Sequence, residues 1–213
     1  MTITFPPTSA NYDAVADWLT SELHVSRETL ASLERLVALI LDEATRQNLV
    51  STSTIPDIWT RHVLDSAQLH LHAEGDLWID IGSGAGFPGL VNAAIARRRH
   101  ILVEPRRIRA DFLARAAAEL TLPVEVIQAN VEMVTGLQPN VITARAVAPL
   151  PKLLASARHL AGPQTTWLLH KGRTAPAEVA EAKKAFRGTF ATIPSLAAPD
   201  SFLVRLTSAN PLP

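Results

Sequence analysis

The sequence lacks several features that would define whole classes of protein. It contains no cysteine, which excludes disulfides, thiolate metal sites and every mechanism with a cysteine nucleophile. Its twenty basic and twenty acidic residues cancel, which excludes a wholly basic nucleic-acid binder and an acidic disordered tail, but not a local basic patch. No apolar run approaches the roughly 18 residues of a membrane span, and the amino terminus lacks a basic-then-apolar signal. We therefore expect a cytoplasmic protein without a membrane partner.

Chain length and charge distribution indicate one domain with an extension. At roughly 150 residues per domain, 213 residues correspond to about 1.4 domains. Residues 1–75 carry ten acidic side chains and four arginines, whereas residues 76–213 carry ten acidic and sixteen basic side chains. This asymmetry fits an anionic partner for the second part of the chain, and it also fits chance variation along a neutral chain.

Residues 1–75 are predicted to form a helical extension. Apolar residues recur at helical spacing along 15–23 and again along 30–41, and Ser26 stands where an N-cap of the second helix is expected. Pro56 opens a third helical segment with apolar positions at Ile58, Trp59, Val63, Leu64 and Leu69. Nothing before Asp76 has the pattern of a strand.

Residues 76–213 are predicted to form a Rossmann-like α/β domain. Seven short β-rich runs lie at 77–81, 101–104, 124–127, 141–144, 165–169, 188–193 and 202–206. Helix-like stretches lie at 90–99, 106–120, 150–160 and 177–186, with a weaker one at 131–137. Strands that alternate with helices indicate a largely parallel sheet covered on both faces. The short link between the last two runs predicts an antiparallel pair at the sheet edge.

A glycine loop follows the first predicted strand. Residues 78–89 run from strand through Gly82, Gly84 and Gly86 into a helix, whose free N–H groups and positive dipole end favour a ligand. Glu104 ends the second strand twenty-two residues after Gly82, where an acid is placed to bind ribose hydroxyls. The pair predicts an adenosine-containing cofactor, the alternative being a glycine turn that only packs helix on strand.

The spacing of the glycines in the loop bears on which adenosine-containing cofactor is expected. Gly84, Gly86 and Gly89 formally satisfy the dinucleotide pattern, which leaves a nicotinamide-dependent dehydrogenase as an alternative. However, this triplet begins late after the strand, Pro88 is its last spacer, and the acidic Asp80 would repel a pyrophosphate. An acid followed by three alternate glycines is typical of an S-adenosyl-L-methionine loop, in which the acid faces the cofactor's ammonium group. A third possibility is a non-catalytic adenosine-binding module.

Longer motifs resemble one family. They are DIGSGAGFPG (80–89), LVEP (102–105) and TARAVAPL (143–150), joined by NL (48–49), RHVLDS (61–66) and HKG (170–172). Together they resemble the bacterial RsmG (GidB) family, which methylates guanine N7 in small-subunit ribosomal RNA. The resemblance covers about residues 30–206 and implies a class I S-adenosylmethionine-dependent methyltransferase with a seven-stranded sheet.

The resemblance also implies roles for individual residues. The acceptor would be 16S ribosomal RNA within the 30S subunit, at guanine 527. Cofactor-binding residues would be Asp80, Gly82, Gly84, Gly86, Phe87, Glu104, Val131, Glu132 and Arg145. Arg145, Lys171 and His62 would act at the catalytic centre, with Asp65 helping His62 to close the pocket.

The residues also bear on the mechanism. Guanine N7 carries an in-plane lone pair, so its attack on a sulfonium methyl group requires no prior deprotonation, and positioning and desolvation are left to provide catalysis. The covalent route used for cytosine carbon 5 is excluded by the absence of cysteine. Arg145 ends an apolar strand and is costly to bury unpaired, so a structural ion pair with Asp80 or Glu104 is the alternative to a catalytic role.

A cluster of arginines is a candidate RNA-binding patch. It comprises Arg97, Arg98, Arg99, Arg106, Arg107 and Arg109. The alternative is two solvated helix faces. Because His70, His72 and His100 lack partners at metal-ligand spacing, we expect no metal site. The short chain and its balanced charge lead us to expect a monomer.

Overall fold

The computed structural model describes residues 11–211. Its first two helices are α1 (Tyr12–Leu23) and α2 (Arg27–Ala44). The Ser26 hydroxyl accepts a hydrogen bond from the Thr29 N–H at 3.2 Å, which confirms the predicted N-cap of α2.

The third helical segment is present but irregular. It consists of a π-helical turn (Trp59–Leu64), one turn of α-helix, α3 (Asp65–Ala67), and a 3₁₀ turn (Gln68–Leu71). Its five predicted apolar positions are all buried. The third helical segment that was predicted to open at Pro56 is therefore present, but it begins at Trp59, after a 3₁₀ turn at Thr52–Thr54. π-helical turns are rare in proteins, and those that occur are often located at functional sites.

A seven-stranded mixed sheet forms the centre of the molecule. Its strands are β1 (Leu77–Ile81), β2 (Arg99–Val103), β3 (Val124–Ile127), β4 (Val141–Arg145), β5 (Thr166–Lys171), β6 (Phe186–Pro194) and β7 (Phe202–Pro211). The order is β3-β2-β1-β4-β5-β7-β6, in which the first five are mutually parallel and β7 is antiparallel to both β5 and β6. The predicted fold class, including the antiparallel last strands, is confirmed.

Four further helices connect the strands: α4 (Gly89–Ala96), α5 (Arg107–Glu119), α6 (Leu150–Ala157) and α7 (Ala175–Ala182). The predicted helix 90–99 ends early because Arg97 is left-handed and Arg99 begins β2. The weak prediction at 131–137 was wrong, since only a 3₁₀ turn (Val131–Met133) forms there. Phe186 begins β6 instead of ending the helix predicted to precede it.

Both faces of the sheet are covered. Residues of α1, α2 and the third helical segment share a hydrophobic cluster with α4 and α5, as Leu36 and Ile40 do with Leu90 and Leu113. A second cluster joins the opposite face to α6 and α7. Within residues 11–211, no helix is both long and apolar enough to cross a membrane. The N-terminal helices are thereby held against the sheet domain, and the segments 49–54 and 61–65 that follow them reach the carboxyl ends of β4 and β5.

Candidate functional site

The glycine loop between β1 and α4 combines an open position with tightly packed ones. Gly84 has a φ of +56°, and a Cβ there would meet no heavy atom closer than 3.7 Å. At Gly86, with a φ of +95°, a Cβ would lie 2.5 Å from Leu90 Cδ1. A methyl group at Gly84 would therefore make only ordinary van der Waals contacts, whereas the absence of one at Gly86 permits the close packing of the loop on α4.

Asp80 lies beneath this loop. Its side chain is 2% exposed; Oδ1 accepts a hydrogen bond from the Thr143 hydroxyl at 2.8 Å and Oδ2 one from the Gly89 N–H at 3.2 Å. Burial raises the pKa of Asp80 to about 6, opposed by these hydrogen bonds. From the sequence we expected Asp80 to face the ammonium group of a cofactor. In the structure its carboxylate connects β1 to β4 and to the start of α4 through these two hydrogen bonds.

Glu104, directly after β2, fixes the loop from the other side. Its Oε2 accepts a hydrogen bond from the Gly84 N–H and its Oε1 one from the Arg106 N–H, both at 2.9 Å. Val131 and Glu132 follow β3 at the same sheet edge, the first buried and the second exposed. These residues form the half of the edge that belongs to β1, β2 and β3.

Arg145 ends β4 in a nearly closed environment. Its side chain is 18% exposed, its Nη1 lies 3.6 Å from Asp65 Oδ2, and Nη1 donates a hydrogen bond to the Arg61 carbonyl at 3.3 Å. Burial lowers its pKa, opposed by the charges of Asp65 and Asp80. The carboxylate that pairs with Arg145 is thus that of Asp65, on α3. The ion pair with Asp80 or Glu104, which we considered as the alternative to a catalytic role, is not formed.

Phe87 connects the glycine loop to the N-terminal segment. The His62 ring stacks on the Phe87 ring with centroids 4.9 Å apart, and the Arg145 guanidinium carbon lies 5.2 Å from the same centroid. Phe87 is buried between these side chains, so it lies toward β4 more than toward Glu104.

His62 is held in one neutral tautomer. The Thr54 hydroxyl donates to the Ser51 carbonyl at 2.8 Å, so the 2.9 Å contact between His62 Nε2 and Thr54 Oγ1 has the imidazole as donor. Burial lowers the pKa of His62 to about 3, and the nearby Arg145 charge adds to this. His62 is consequently uncharged at neutral pH, with Nδ1 as its bare nitrogen.

Asp65 is the centre of a polar network that joins three parts of the chain. Its Oδ1 accepts hydrogen bonds from Gln68 Nε2 at 2.8 Å and from Ser195 Oγ at 2.9 Å, and its backbone carbonyl contacts His170 Nε2 at 2.8 Å. Sequence reasoning missed Gln68 and Ser195. The i, i+3 spacing of Gln68 was an available signal, whereas Ser195 lies 130 positions away and offered none.

Lys171, the last residue of β5, is similarly engaged. Its Nζ donates to the Ala148 carbonyl at 2.6 Å and lies 2.9 Å from Glu178 Oε2. Glu178 also accepts a hydrogen bond from the Leu150 N–H at 2.7 Å, at the first turn of α6. Glu178 was not identified from the sequence, because its role depends on how α7 packs against α6.

A cavity of about 510 Å³ lies over the carboxyl ends of β4 and β5. Its walls come from the N-terminal segments 49–54 and 61–65, from both strand ends, from α7 and from residues 197–202. Arg145, His170 and Lys171 line it, whereas Gly84, Glu104 and Val131 do not. We call it the β4–β5 cavity.

The arginine cluster is divided between opposite ends of the sheet. Arg97, Arg98 and Arg99 lie at the amino end of β2, where they contact the Thr121 carbonyl, the Gly75 carbonyl and Glu125. Arg106, Arg107 and Arg109 lie at its carboxyl end, beside the glycine loop. The structure therefore does not bring the six into one patch.

No metal cluster is found in the described part of the chain, where no three histidine, aspartate or glutamate side chains are grouped to hold an ion.

The chain resembles solved methyltransferase structures in fold. A TehB-like SAM-dependent methyltransferase from Corynebacterium glutamicum superposes with a TM-score of 0.56 at 13% identity, over 80% of this chain and 98% of that protein. The glycopeptide N-methyltransferase MtfA, solved with (S)-adenosyl-L-methionine, gives a TM-score of 0.58 at 11% identity, over 68% of this chain and 93% of that one.

Sequence comparison is more specific. The protein of Rhizorhabdus wittichii named ribosomal RNA small subunit methyltransferase G is 44% identical over 196 residues, 89% of this chain and 90% of its own length. The protein of the same name from Zymomonas mobilis is 37% identical over 204 residues, 91% and 92% of the two chains. These relatives decide against the dehydrogenase alternative. The family model GidB, described as rRNA small subunit methyltransferase G, matches residues 29–197. The chain therefore belongs to the GidB family of small-subunit rRNA methyltransferases.

Proposed function

We propose that this protein transfers a methyl group from S-adenosyl-L-methionine to N7 of a guanine in 16S ribosomal RNA, with the 30S subunit as its partner and guanine 527 as the position that the resemblance implies. One observation carries the proposal. Phe87, within the glycine loop, contacts both His62 and Arg145, so a nucleoside-type cradle and a cationic cavity adjoin at one sheet edge. A methyl donor and a nucleotide acceptor need such neighbouring sites.

The residues of the glycine loop fit the cofactor. Gly84 leaves space for close approach of a ligand to the backbone. Glu104 uses one acceptor position on each oxygen for Gly84 and Arg106, and a carboxylate oxygen has a further lone pair for a ribose hydroxyl. Val131 and Glu132 would flank the adenine. Asp80 would act indirectly, by holding the loop that Gly82 and Gly86 shape.

The methyl transfer requires the protein to position the two reactants and little else. When bound, S-adenosyl-L-methionine supplies an electrophilic methyl group on a sulfonium. Guanine N7 has its lone pair free at neutral pH, so no side chain has to remove a proton. A neutral His62 is consistent with this, as a packing group beside Phe87 and not as a base. Arg145 and Lys171 would orient the acceptor and keep it in line.

Cations at the same edge would bind the RNA backbone. Arg106, Arg107 and Arg109 follow β2, and Arg61 is exposed beside the β4–β5 cavity. Phosphate contacts of this kind supply affinity and orientation. Arg97, Arg98 and Arg99 lie at the other end of the sheet, so we leave them out of the proposed RNA surface.

The proposal is tested by transfer of tritiated methyl from S-adenosyl-L-methionine to 30S subunits that lack the modification, with the product nucleoside identified by mass spectrometry. We expect 7-methylguanosine. Labelled product on another atom would overturn the N7 assignment. No label, despite stabilisation of the protein by S-adenosylhomocysteine, would overturn the ribosomal acceptor and favour the non-catalytic adenosine-binding module.

A further inference from the structure

The connection between β6 and β7 is fastened to a distant part of the chain. Residues 195–201, which we call the β6–β7 link, are closed at their base by a hydrogen bond from the Ser195 N–H to the Ser201 carbonyl at 2.8 Å. The Ser195 hydroxyl then donates to Asp65 Oδ1 at 2.9 Å, across 130 positions of sequence. The link and the third helical segment are therefore joined at one carboxylate.

Gln68 joins the same two parts of the chain, and its side-chain amide has a single orientation. Its Oε1 accepts a hydrogen bond from the Leu196 N–H at 2.9 Å, and because a backbone N–H can only donate, this end of the amide is the oxygen. The Nε2 end consequently faces Asp65 Oδ1 at 2.8 Å and Ser195 Oγ at 2.9 Å. Gln68 is 1% exposed, so these protein groups are its hydrogen-bonding partners.

The single proton of the Ser195 hydroxyl is thereby assigned to Asp65. The hydroxyl oxygen accepts from Gln68 Nε2 at 2.9 Å and from the Ala197 N–H at 3.0 Å, which occupies its two lone pairs. A carboxylate can only accept, so the hydroxyl proton is directed to Asp65 Oδ1. With Ser195 and Gln68 both donating to Oδ1, the rotation of the Asp65 carboxylate about its last torsion is fixed.

The other oxygen of this carboxylate faces Arg145. Asp65 Oδ2 lies 3.6 Å from Arg145 Nη1 and 3.6 Å from His170 Nε2. Burial lowers the pKa of His170, whose Nε2 proton is donated to the Asp65 carbonyl at 2.8 Å, so Arg145 is the charged partner of Oδ2. Within residues 11–211 the Arg145 guanidinium makes one hydrogen bond, to the Arg61 carbonyl at 3.3 Å. The orientation of Arg145 therefore depends on that of Asp65.

We propose that Ser195 is a positioning residue for methyl transfer, which acts through Asp65 to hold the Arg145 guanidinium in the orientation that the acceptor requires. The inference rests on the proposed function, in which Arg145 orients the acceptor. Ser195 contacts neither reactant, because its hydroxyl is fully occupied by Asp65, Gln68 and the β6–β7 link. A misplacement of about 1 Å can cost about a hundredfold in rate, so a hydrogen bond one step removed from the reactants affects turnover.

Ser195→Ala removes the hydroxyl that donates to Asp65 and leaves the rest of the side chain unchanged. We expect the turnover number for methyl transfer to 30S subunits to fall about tenfold, while KM for the subunits and Kd for S-adenosylhomocysteine stay within about twofold. Ser195→Thr keeps a hydroxyl at this position and should restore turnover to within about threefold of the unmodified protein. A residue that only supported the fold would not separate turnover from binding in this way.

Two further variants control the experiment. Ser156 is partly buried like Ser195, but it lies on α6 outside the lining of the β4–β5 cavity and donates to the Leu153 carbonyl at 3.0 Å. Ser156→Ala should leave turnover, KM and cofactor affinity unchanged. Asp65→Asn removes the charge through which Ser195 acts, so adding Ser195→Ala to it should lower turnover by less than about twofold further. Thermal unfolding shows whether each variant is folded at the assay temperature.

The possible outcomes are distinct. Unchanged turnover in Ser195→Ala would overturn the positioning role, as would an equal loss in Ser156→Ala or an equal loss of S-adenosylhomocysteine affinity. A Ser195→Ala protein that is unfolded at the assay temperature would show a purely structural role. Effects that multiply in the double variant Asp65→Asn, Ser195→Ala would show that Ser195 acts by another route. If the unmodified protein transfers no methyl group to 30S subunits, the proposed function fails and the positioning role fails with it.

Discussion

Arg145 shows how the environment of one side chain gives it both a structural and a functional task. Its charge is buried at the end of β4 and faces Asp65, which lies on a helix eighty positions earlier. Removing one member of a buried ion pair costs more than removing both, since the remaining charge is left without compensation. The structural part of the task is therefore separable by experiment from the functional part.

Arg145→Ala is expected to abolish methyl transfer and to lower the thermal midpoint, because Asp65 then lacks its cation. In the double variant Arg145→Ala, Asp65→Asn the midpoint should rise above that of Arg145→Ala, because no buried charge is left unpaired, while methyl transfer should not recover. Circular dichroism and transfer to 30S subunits measure the two properties on the same preparations. Parallel recovery of activity and stability would show that Arg145 serves the fold alone.

A second prediction at the residue scale concerns the stability of two glycine variants in the loop. Gly86→Ala combines a φ of +95° with a Cβ only 2.5 Å from Leu90 Cδ1 and 3.3 Å from Leu113 Cδ2, so we expect a loss of about 1–3 kcal/mol of unfolding free energy. Gly84→Ala bears the backbone strain without the packing clash and should lose less. Urea denaturation of both variants checks this, and equal losses would contradict the distinction.

Residue-level roles were only partly accessible from the sequence. The loop glycines, Glu104 and Arg145 could be singled out because local spacing marks them. The partners of Arg145 and Asp80 could not, because they depend on which strands become neighbours: Thr143 reaches Asp80 only through the parallel pairing of β1 with β4.

At the scale of elements, the start of helix α2 could be predicted from one residue, its N-cap Ser26. Ser26→Ala removes the hydrogen bond from the Thr29 N–H and should destabilise the protein by about 1 kcal/mol. Ser21→Ala is the matched control, because Ser21 is exposed inside α1 and its hydroxyl only contacts the Trp18 carbonyl; we expect a change within about 0.5 kcal/mol. Chemical denaturation distinguishes them, and equal effects would refute a capping role for Ser26.

Strands were predicted better than helix boundaries for a physical reason. Strands buried on both faces are continuous β-rich runs, as in β1, which has the predicted bounds. The edge strand β3 also has the predicted bounds, although it is only partly buried. The segment after Pro56 was predicted only as helical, and its division into a π-helical turn, an α-helical turn and a 3₁₀ turn was not predicted. The stretch after β3 is short and includes Gly136 at a φ of +73°, which limits it to one turn.

At the scale of the whole molecule, packing crosses the boundary predicted near residue 75. The N-terminal helices share a hydrophobic cluster with α4 and α5 and also provide His62 and Asp65 to the candidate site. We propose that residues 11–75 and 76–211 unfold together, although their sequence patterns differ. Because buried ionisable groups are distributed through both segments, pH acts on the molecule as one unit.

Stability is expected to fall as the pH is lowered from about 7 toward 4. Burial lowers the pKa of His62 to about 3 and that of His70 and His100 to about 4, so the folded state favours their neutral forms. Unfolded histidines titrate near 6.5, so this stabilisation is complete above that pH and is lost as the pH falls toward 4. The raised pKa of Asp80, about 6, acts in the opposite direction, but it is one group against three.

Thermal unfolding between pH 5 and 8 measures this dependence. His70→Phe preserves an aromatic ring beside Trp78, on which His70 stacks at 5.1 Å, and removes one titrating group, so its midpoint should vary less with pH. A midpoint that is flat from pH 7 to pH 5 in the unmodified protein would refute the expectation.

Phe87 has a thermodynamic consequence. It is part of the glycine loop, yet its ring contacts His62 of the N-terminal segment and the guanidinium of Arg145. A shift of the loop on cofactor binding would therefore change the contacts of His62 and Arg145, which line the neighbouring cavity. Linkage then requires reciprocity: whatever factor the cofactor applies to RNA affinity, RNA applies to cofactor affinity. The size of that shared factor would depend on the packing of one phenylalanine between the loop and the cavity.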